Sequence, residues 1–463
     1  MIYTALFDRA TTSGRPVRAG VIGVGQYATA IVTQAQAMRR LEVPVLADLN
    51  VEAARLAYRR AGLPDEAIAH CETRAQVLAA MERGRRAVVA DAMVLMDLPL
   101  DVIVESTGSP EAAARHGAAA LRAGKHLAMV SKEPDATIGP YLKRLADAAG
   151  LVYSAVDGDQ HGLLIGLVDW CRELGLDVLC GGKARDTEFI YDDAAGTVRR
   201  GKEALTLTPA QRALLAPITP GQVGEVVAAR RQAFAPLGRI GGFDVTEMAI
   251  AANATGLLPD VEALHCPAVR ITEMPEVLCP AEDGGLLGRR GVIDSVTCLR
   301  RADEAGLGGG VFVVVSCAND YSRRILTTKG LIPNAKDTAA LIYRPYHLCG
   351  VETPITLLTA GLLGLPTGGR EVLPRVDLVA RTRVSLPAGS TVGGDHDPGL
   401  EYLLLPARAV RDGAPLPLHM ATGHRLRADV PAGTIIRREM VEAPADSALW
   451  ALRQEMDSAF ALP

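Results

Sequence analysis

Between residues 18 and 156, short apolar runs alternate with longer stretches whose apolar positions recur at helical spacing. VRAGVIGVG reads as a strand breaking into a turn, and Ala28–Arg40 as the helix behind it. VPVLADL is a second strand, with the helical stretch Val51–Ala61 after it, and RRAVVAD and DVIVEST are further buried strands. SPEAAARHGAAALRAG reads as a helix entered through a Ser-x-Glu pair and stopped by glycine, and KHLAMVS as another strand. Such alternation predicts an α/β domain over 1–156, a doubly wound parallel sheet that receives ligands at the carboxyl ends of its strands. Its lead-in, residues 1–17, ends in the loop-like TTSGRP.

From 157 to 347 the pattern loosens. A helix is predicted over Leu163–Leu174, polar material to about residue 220, and a second helix over Asp244–Thr255. Beyond the Pro- and Gly-rich stretch 256–291, VIDSVTCLR and GGVFVVVSCA read as strands, so an α+β substrate and dimerisation domain is expected. Residues 348–364 have the length and apolar character of a helix packing back on the first domain, and 366–375, PTGGREVLPR, read as a linker. In the last part, 374–463, LVARTRVSLPAGSTV and HRLRADVPAGTIIRREM each run into Pro-Ala-Gly. Proline fixes φ there and glycine permits a positive one, so a small β-rich domain is expected.

The first strand carries the clearest chemistry. Gly23, Gly25 and Ala28 follow the spacing G-x-G-x-x-G/A, and Asp48 ends the second strand about 20 residues past the turn. In a Rossmann unit the glycines let the backbone approach a pyrophosphate, the helix N-terminus stabilises it, and the carboxylate bonds the adenosine ribose. Candidate cofactor contacts are therefore Gly23, Gly25, Gln26, Tyr27, Asp48 and the strand ends Ser106, Thr107, Gly108 and Lys132. Asp48 favours NAD and repels the 2′-phosphate of NADP, with Arg55 placed to offset part of that repulsion.

Composition narrows the partners. The chain is 49% hydrophobic and 22% charged with a net charge of −4 and no block of like charges, which argues against nucleic acid or an anionic membrane. Its eight cysteines contain no C-x-x-C, so neither zinc nor a disulfide framework is indicated. With no basic-then-apolar leader and no apolar run of ~18 residues, a cytoplasmic location is expected.

GVGQYATA, DVIVESTGSPE and GKHLAMVSKEPD together resemble homoserine dehydrogenase-like NAD(P)-dependent oxidoreductases. DGDQ at 157–160, GGFDVTEMAIAANATGLLPD, EDGGLLGRRGVID and YRPYHLCGVETPI, with a tail similar to a SAF domain, narrow the resemblance to the deoxyxylulose-phosphate reductoisomerase-like family. That resemblance implies a homodimer or tetramer acting on a sugar phosphate such as 1-deoxy-D-xylulose 5-phosphate, or on a sugar acid such as apionate. It further implies NADPH, against Asp48, and a divalent metal. Two departures fall where substrate would bind: His161 follows GDQ where the family has Pro, and Gly181–Asp186 read GGKARD where the family has a turn close to GKGKN.

Hydride exchange with a carbinol carbon needs a group that moves the hydroxyl proton and positive charge that polarises the carbonyl. Lys132, at a strand end, matches the lysine of the homoserine dehydrogenase NKE-like segment, with Glu133 placed to orient it; a solvated surface lysine is the alternative. Lys183 is a second acid/base candidate or an ordinary turn lysine. Asp157 and Asp159 flank Gly158, either facing substrate hydroxyls, alone or around a cation with Asp244 or Glu247, or shaping a turn. Asp244 and Glu247, at i and i+3, share a helix face, though Asp244 as the helix N-cap is the simpler account. Gln160 joins the substrate group, and Arg344, Tyr346 and His347 are assigned to its anion, or else to a structural turn. A simple hydroxy-acid dehydrogenase and a non-catalytic NAD(P) sensor are the alternatives to an oxidoisomerase.

Overall fold

The computed structural model describes residues 2–11 and 14–463; the loop reading at Thr12 and Ser13 lies outside the described residues. The lead-in instead forms a helix, Ile2–Ala10, because Phe7 has an apolar core to enter, where it packs near Leu357 and Leu358.

Strands β1 (Val17–Ile22), β2 (Leu41–Ala47), β3 (Ile68–His70), β4 (Arg86–Val89), β5 (Val102–Glu105), β6 (His126–Met129) and β7 (Tyr153–Ala155) form one parallel sheet in the order β3-β4-β2-β1-β5-β6-β7. Helices cover both faces, so even the short strands are largely buried; β5, Val-Ile-Val-Glu, is buried throughout. Strand order reverses between β1 and β5, where Ile22 pairs with Ala47 on one side and Glu105 on the other. That crevice is where an open α/β sheet receives its ligand. The helix after β1 runs Gln26–Gln36 rather than Ala28–Arg40, since Gly25 is its N-cap. Two helices the sequence pattern did not isolate complete the layer, Arg74–Glu82 and Lys132–Ala148.

The predicted polar stretch before residue 220 is not irregular. It contains β8 (Asp177–Ala184), β9 (Phe189–Asp192), β10 (Thr197–Arg200) and β11 (Glu203–Thr206). They join β12 (Leu258–Pro259), β13 (Ala268–Val269), β14 (Val292–Arg301), β15 (Val311–Ser316), β16 (Ile332–Pro333) and β17 (Ala340–Arg344) in a mixed ten-stranded sheet. β8 lies between β14 and β15, parallel to the first and antiparallel to the second, and is buried beyond its first residue. The helices Gln160–Glu173 and Gly242–Thr255 pack on this sheet and on each other, and Gly242–Thr255 also packs on the helix Lys132–Ala148, joining the two halves.

Residues Thr353–Leu358 are helical and widen into a π turn, Thr359–Leu363, with Leu357, Leu358 and Ala360 in the core around β1. The last part pairs β18 (Val376–Thr382) with β19 (Leu400–Pro406), antiparallel, and isolated bridges such as Leu386↔Val430 and Thr391↔Arg425 hold the Pro-Ala-Gly segments together. Its final helix, Ala448–Ala459, returns to the first domain. There Glu111 accepts from Ser447 Oγ and the amide of Ala448, and fully buried Arg453 forms a two-pronged pair with Asp377 at 2.6 and 2.7 Å.

Candidate active site

The dinucleotide end of the crevice follows from the backbone. Gly23 has φ +82°, and a Cβ there would lie 2.6 Å from Thr107 Cα, so only glycine lets β1 turn against the Ser106–Thr107 loop. Ser106 Oγ closes that contact by donating to Gly23 O at 2.6 Å. Gly25 caps the helix Gln26–Gln36 without a side chain and faces open space, leaving the first amides for an anion. Asp48 lies beside the same turn, accepting from the amides of Val24 (2.6 Å) and Asn50 (2.7 Å). A bare helix N-terminus, an open glycine and a carboxylate at the end of β2 fit a dinucleotide. Gln26 and Gly108 are exposed at this edge, whereas Tyr27 turns its hydroxyl inward to Thr353 Oγ1 at 2.9 Å. Arg55 is engaged by Asp65 (3.4 Å) and Glu52 (3.5 Å) rather than standing free beside Asp48.

Beyond β5 and β6 lies a buried ionic cluster. Gly108 N donates to Ser131 Oγ at 2.9 Å, and the next residue, Lys132, opens a helix. Its ammonium contacts Glu247, lies 3.2 Å from Asp159, and sits 3.8 Å over the Phe243 ring. Lys183, on β8, reaches the other oxygen of Glu247 at 2.5 Å and Asp244 at 2.9 Å. Arg185 Nε approaches the second oxygen of Asp244 at 3.5 Å. The Lys132 side chain is 13% exposed and that of Lys183 0%, so neither is the solvated surface or turn lysine that sequence left open, and Glu247 between them is fully buried.

Electrostatics sort these groups. Burial alone drives the lysines toward neutrality, but Glu247 and their second carboxylates outweigh it and hold both ammoniums charged. Burial likewise lifts the carboxyls, yet Lys132 and Lys183 pull Glu247 below its usual range, and Lys132 with His161 brings Asp159 to about 2. Burial lowers His161, whose two ring nitrogens have no hydrogen-bond partner. Asp159, His161 and Glu247 place ligand atoms within 4.8 Å of one another, a donor set that fits a divalent cation. The carboxylates concerned already hold ammoniums, so a cation competes with the lysines.

The remaining predicted residues divide. Asp159 caps the helix Gln160–Glu173, and Gln160 ties it to β8 by donating to Ala184 O at 3.0 Å. Asp244 is not the N-cap of its helix. Gly241 is, because Lys183 draws the Asp244 side chain inward. Asp157 points elsewhere, raised to about 6 by burial and the nearby Glu352 carboxylate. Arg344 is not free for an anion, being ion-paired with Glu352 and stacked 4.6 Å from the exposed Tyr346 ring. His347 Nδ1 is bonded to Gly309 O at 2.6 Å. Glu133 lies apart from the cluster, with one carboxylate oxygen buried and unpartnered. Sequence reasoning missed Phe243 and Arg185; the available signals were GGFD at the head of a buried helix and the i, i+2 spacing of Lys183 and Arg185.

Residues 20–154 match the family described as homoserine dehydrogenase, NAD binding domain, and residues 241–353 the one described as oxidoreductase DRL, catalytic domain. No curated protein matches the chain. Among solved structures it is similar to 1-deoxy-D-xylulose 5-phosphate reductoisomerase from Zymomonas mobilis in complex with NADPH, at 16% identity over 51% of this chain and 57% of that one, TM-score 0.31. Biliverdin reductase from Synechocystis sp. PCC 6803, in complex with biliverdin and NADP+, is similar at 18% identity over 38% of this chain and 47% of that one, TM-score 0.25. A 3-ketoreductase from Actinomadura kijaniata, in complex with NADP, is similar at 19% identity over 39% of this chain and 55% of that one, TM-score 0.25. The chain spans about half the length of these structures.

The two family matches, set on a parallel sheet with a glycine-turn crevice, define an oxidoreductase that uses a nicotinamide dinucleotide. The chain is an enzyme, which sets aside the non-catalytic sensor. No helix among the described residues is long and apolar enough to cross a membrane.

Proposed function

We propose that this enzyme moves a hydride between the nicotinamide and a carbinol carbon of a small polyhydroxylated anion, with skeletal isomerisation coupled to the transfer. The substrate class is a sugar phosphate such as 1-deoxy-D-xylulose 5-phosphate or a sugar acid such as apionate. The observation that carries the reading is the buried Lys132–Glu247–Lys183 bridge beside the ends of β5 and β6. When bound, the nicotinamide supplies or accepts the hydride. Reduction puts negative charge on the substrate oxygen, and two ammoniums in a site shielded from water stabilise it. Because both lysines are held charged, they serve as acids: either Nζ donates to the nascent alkoxide. In the opposite direction Glu247, bonded to both, draws the hydroxyl proton off through whichever lysine has given one up. A divalent cation on Asp159, His161 and Glu247 would add polarisation of the substrate oxygens.

Asp48 supports NAD over NADP, since its carboxylate suits a free 2′-hydroxyl and Arg55 is already engaged by acids of its own. The proposal places the enzyme in the cytoplasm as a homodimer or tetramer, an assembly that light scattering measures directly.

The test is a screen of sugar phosphates and sugar acids at the nicotinamide absorbance, with NADH and NADPH, with and without Mg²⁺ or Mn²⁺. Lys132→Ala is expected to keep dinucleotide affinity and lose about 10²- to 10⁴-fold in kcat. Unchanged kcat removes Lys132 from the mechanism. NMR of the product decides the isomerisation: an intact carbon skeleton means simple dehydrogenation.

A further inference from the structure

Beside the lysine cluster, a cavity of about 900 Å³ opens between the second domain and the C-terminal unit. Phe243 and Asp244, which meet the lysines, form part of its wall, and five arginines line it: Arg185, Arg200, Arg239, Arg381 and Arg383. Arg381 is neutralised by Glu401 at 2.7 Å and Arg185 faces Asp244. The other three have no carboxylate within ion-pair distance among the described residues. Arg200 donates to Leu237 O at 2.9 Å and Arg383 to Leu400 O at 2.8 Å, both uncharged acceptors. Nε of Arg200 is buried without a hydrogen-bond partner, and Nε of Arg185 has only the Asp244 oxygen at 3.5 Å. Burial and the neighbouring Arg239 make the charge on Arg383 harder to hold, as burial and Arg185 do for Arg200. The same wall carries Asp186, Asp244, Asp395, Asp397 and Glu401, and Asp244 and Glu401 offset part of this cost from a distance. With no carboxylate in direct contact, the guanidiniums of Arg200, Arg239 and Arg383 keep donors that a bound oxyanion accepts from.

The C-terminal unit is keyed into this place rather than merely near it. Gly242 N donates to Asp395 O at 2.9 Å, and a Cβ on Gly242 would lie 2.8 Å from Asp395 Cα. Thr246 Oγ1 donates to Asp395 Oδ1 at 3.3 Å, and the His396 ring stacks on Phe243 at 6.3 Å and 25°. The helix that presents Asp244 and Glu247 to the lysines is thus the helix on which this loop is seated.

We infer that the C-terminal unit completes the substrate pocket, and that Arg200, Arg239 and Arg383 hold the substrate's phosphate or carboxylate at the end away from the lysines. The inference rests on the proposed reading that the substrate is a small polyhydroxylated anion. It moves the anion anchor from Arg344, which Glu352 neutralises, to a surface shared by two units of the fold.

Calorimetric titration of the full-length protein with D-ribose 5-phosphate, D-erythronate and uncharged D-ribose tests it. At least one of the two anions is expected to bind more tightly than ribose, the phosphate probe and the carboxylate probe separating the two chemistries. Arg383→Ala and Arg239→Ala should each weaken that anion about 10- to 100-fold, the worth of one charge-assisted hydrogen bond. Arg344→Ala should stay within about twofold, and NADH affinity should be unchanged in all three. Arg239 is exposed and its side chain has no hydrogen-bond or ion-pair partner among the described residues, so its variant tests the anchor without disturbing the fold. Wild-type affinity in Arg239→Ala, a larger loss in Arg344→Ala, or failure of both anions to bind overturns the inference. The readout is binding, so an enzyme that showed no redox turnover on any sugar anion would refute the hydride-transfer reading and leave this result standing.

Discussion

Replacing Glu247 with glutamine preserves shape and deletes the one buried charge that two ammoniums share. Deleting one partner of a buried pair costs about 3–5 kcal/mol when the other is left uncompensated. Here each ammonium keeps a second carboxylate, Asp159 at 3.2 Å for Lys132 and Asp244 at 2.9 Å for Lys183. The loss should therefore fall to about 2–3 kcal/mol, the value of a charge-assisted hydrogen bond. Its pH dependence has a definite sign. Glu247 titrates below its usual range in the fold, because Lys132 and Lys183 outweigh burial. Such a group contributes its full stability above the unfolded carboxylate pKa of about 4.3 and loses it as pH falls through the lower folded value. The gap between wild type and Glu247→Gln should thus stay level from about pH 8 to about pH 5 and close only in stronger acid. Urea or thermal unfolding across that range measures it. A second readout is available because the chain has seven lysines, few enough for their Nζ signals to be resolved by ¹⁵N NMR. In the variant, burial is less opposed, so the Lys132 and Lys183 ammoniums should deprotonate at lower pH than in wild type. No gap at neutral pH, or one closing between about pH 8 and pH 5, would refute the shared-charge account.

Gly23→Ala should destabilise the protein by about 2–4 kcal/mol and weaken NADH binding, from a strained φ plus overlap with backbone; calorimetric unfolding and nicotinamide fluorescence check both. Asp48→Asn keeps an acceptor but removes the charge, and should raise the NADPH-to-NADH affinity ratio about tenfold, as fluorescence titration with each cofactor will report. Arg453→Met strands Asp377 and Asp457, whose carboxylates lie 2.6 and 2.7 Å from the guanidinium. A loss of about 3–5 kcal/mol should appear as a lower unfolding midpoint, with dinucleotide affinity retained.

Much of the dinucleotide half was legible because its signals are local. Strand burial on both faces yields unbroken apolar runs such as Val102–Val104, and a turn requiring positive φ selects Gly23. β9 to β11 were read as polar material because Phe189–Asp192, Thr197–Arg200 and Glu203–Thr206 are short and partly solvated, with little period to detect. Arg344 is a different kind of miss. An arginine between two tyrosines resembles an anion anchor in sequence, and only the approach of Glu352 reveals that its charge is spoken for.

Sequence by itself determined the α/β class, the glycine-turn crevice and the presence of reactive residue types, since each depends on hydrogen bonding and burial within a few residues. Tertiary structure decided which charges meet. Lys132 and Lys183 converge on Glu247 from a helix start and a central strand, and Arg239 and Arg383 face one cavity from different units. Coulombic partners are set by distance in space, and burial amplifies the choice by removing the water that would otherwise screen it. No spacing along the chain encodes that distance.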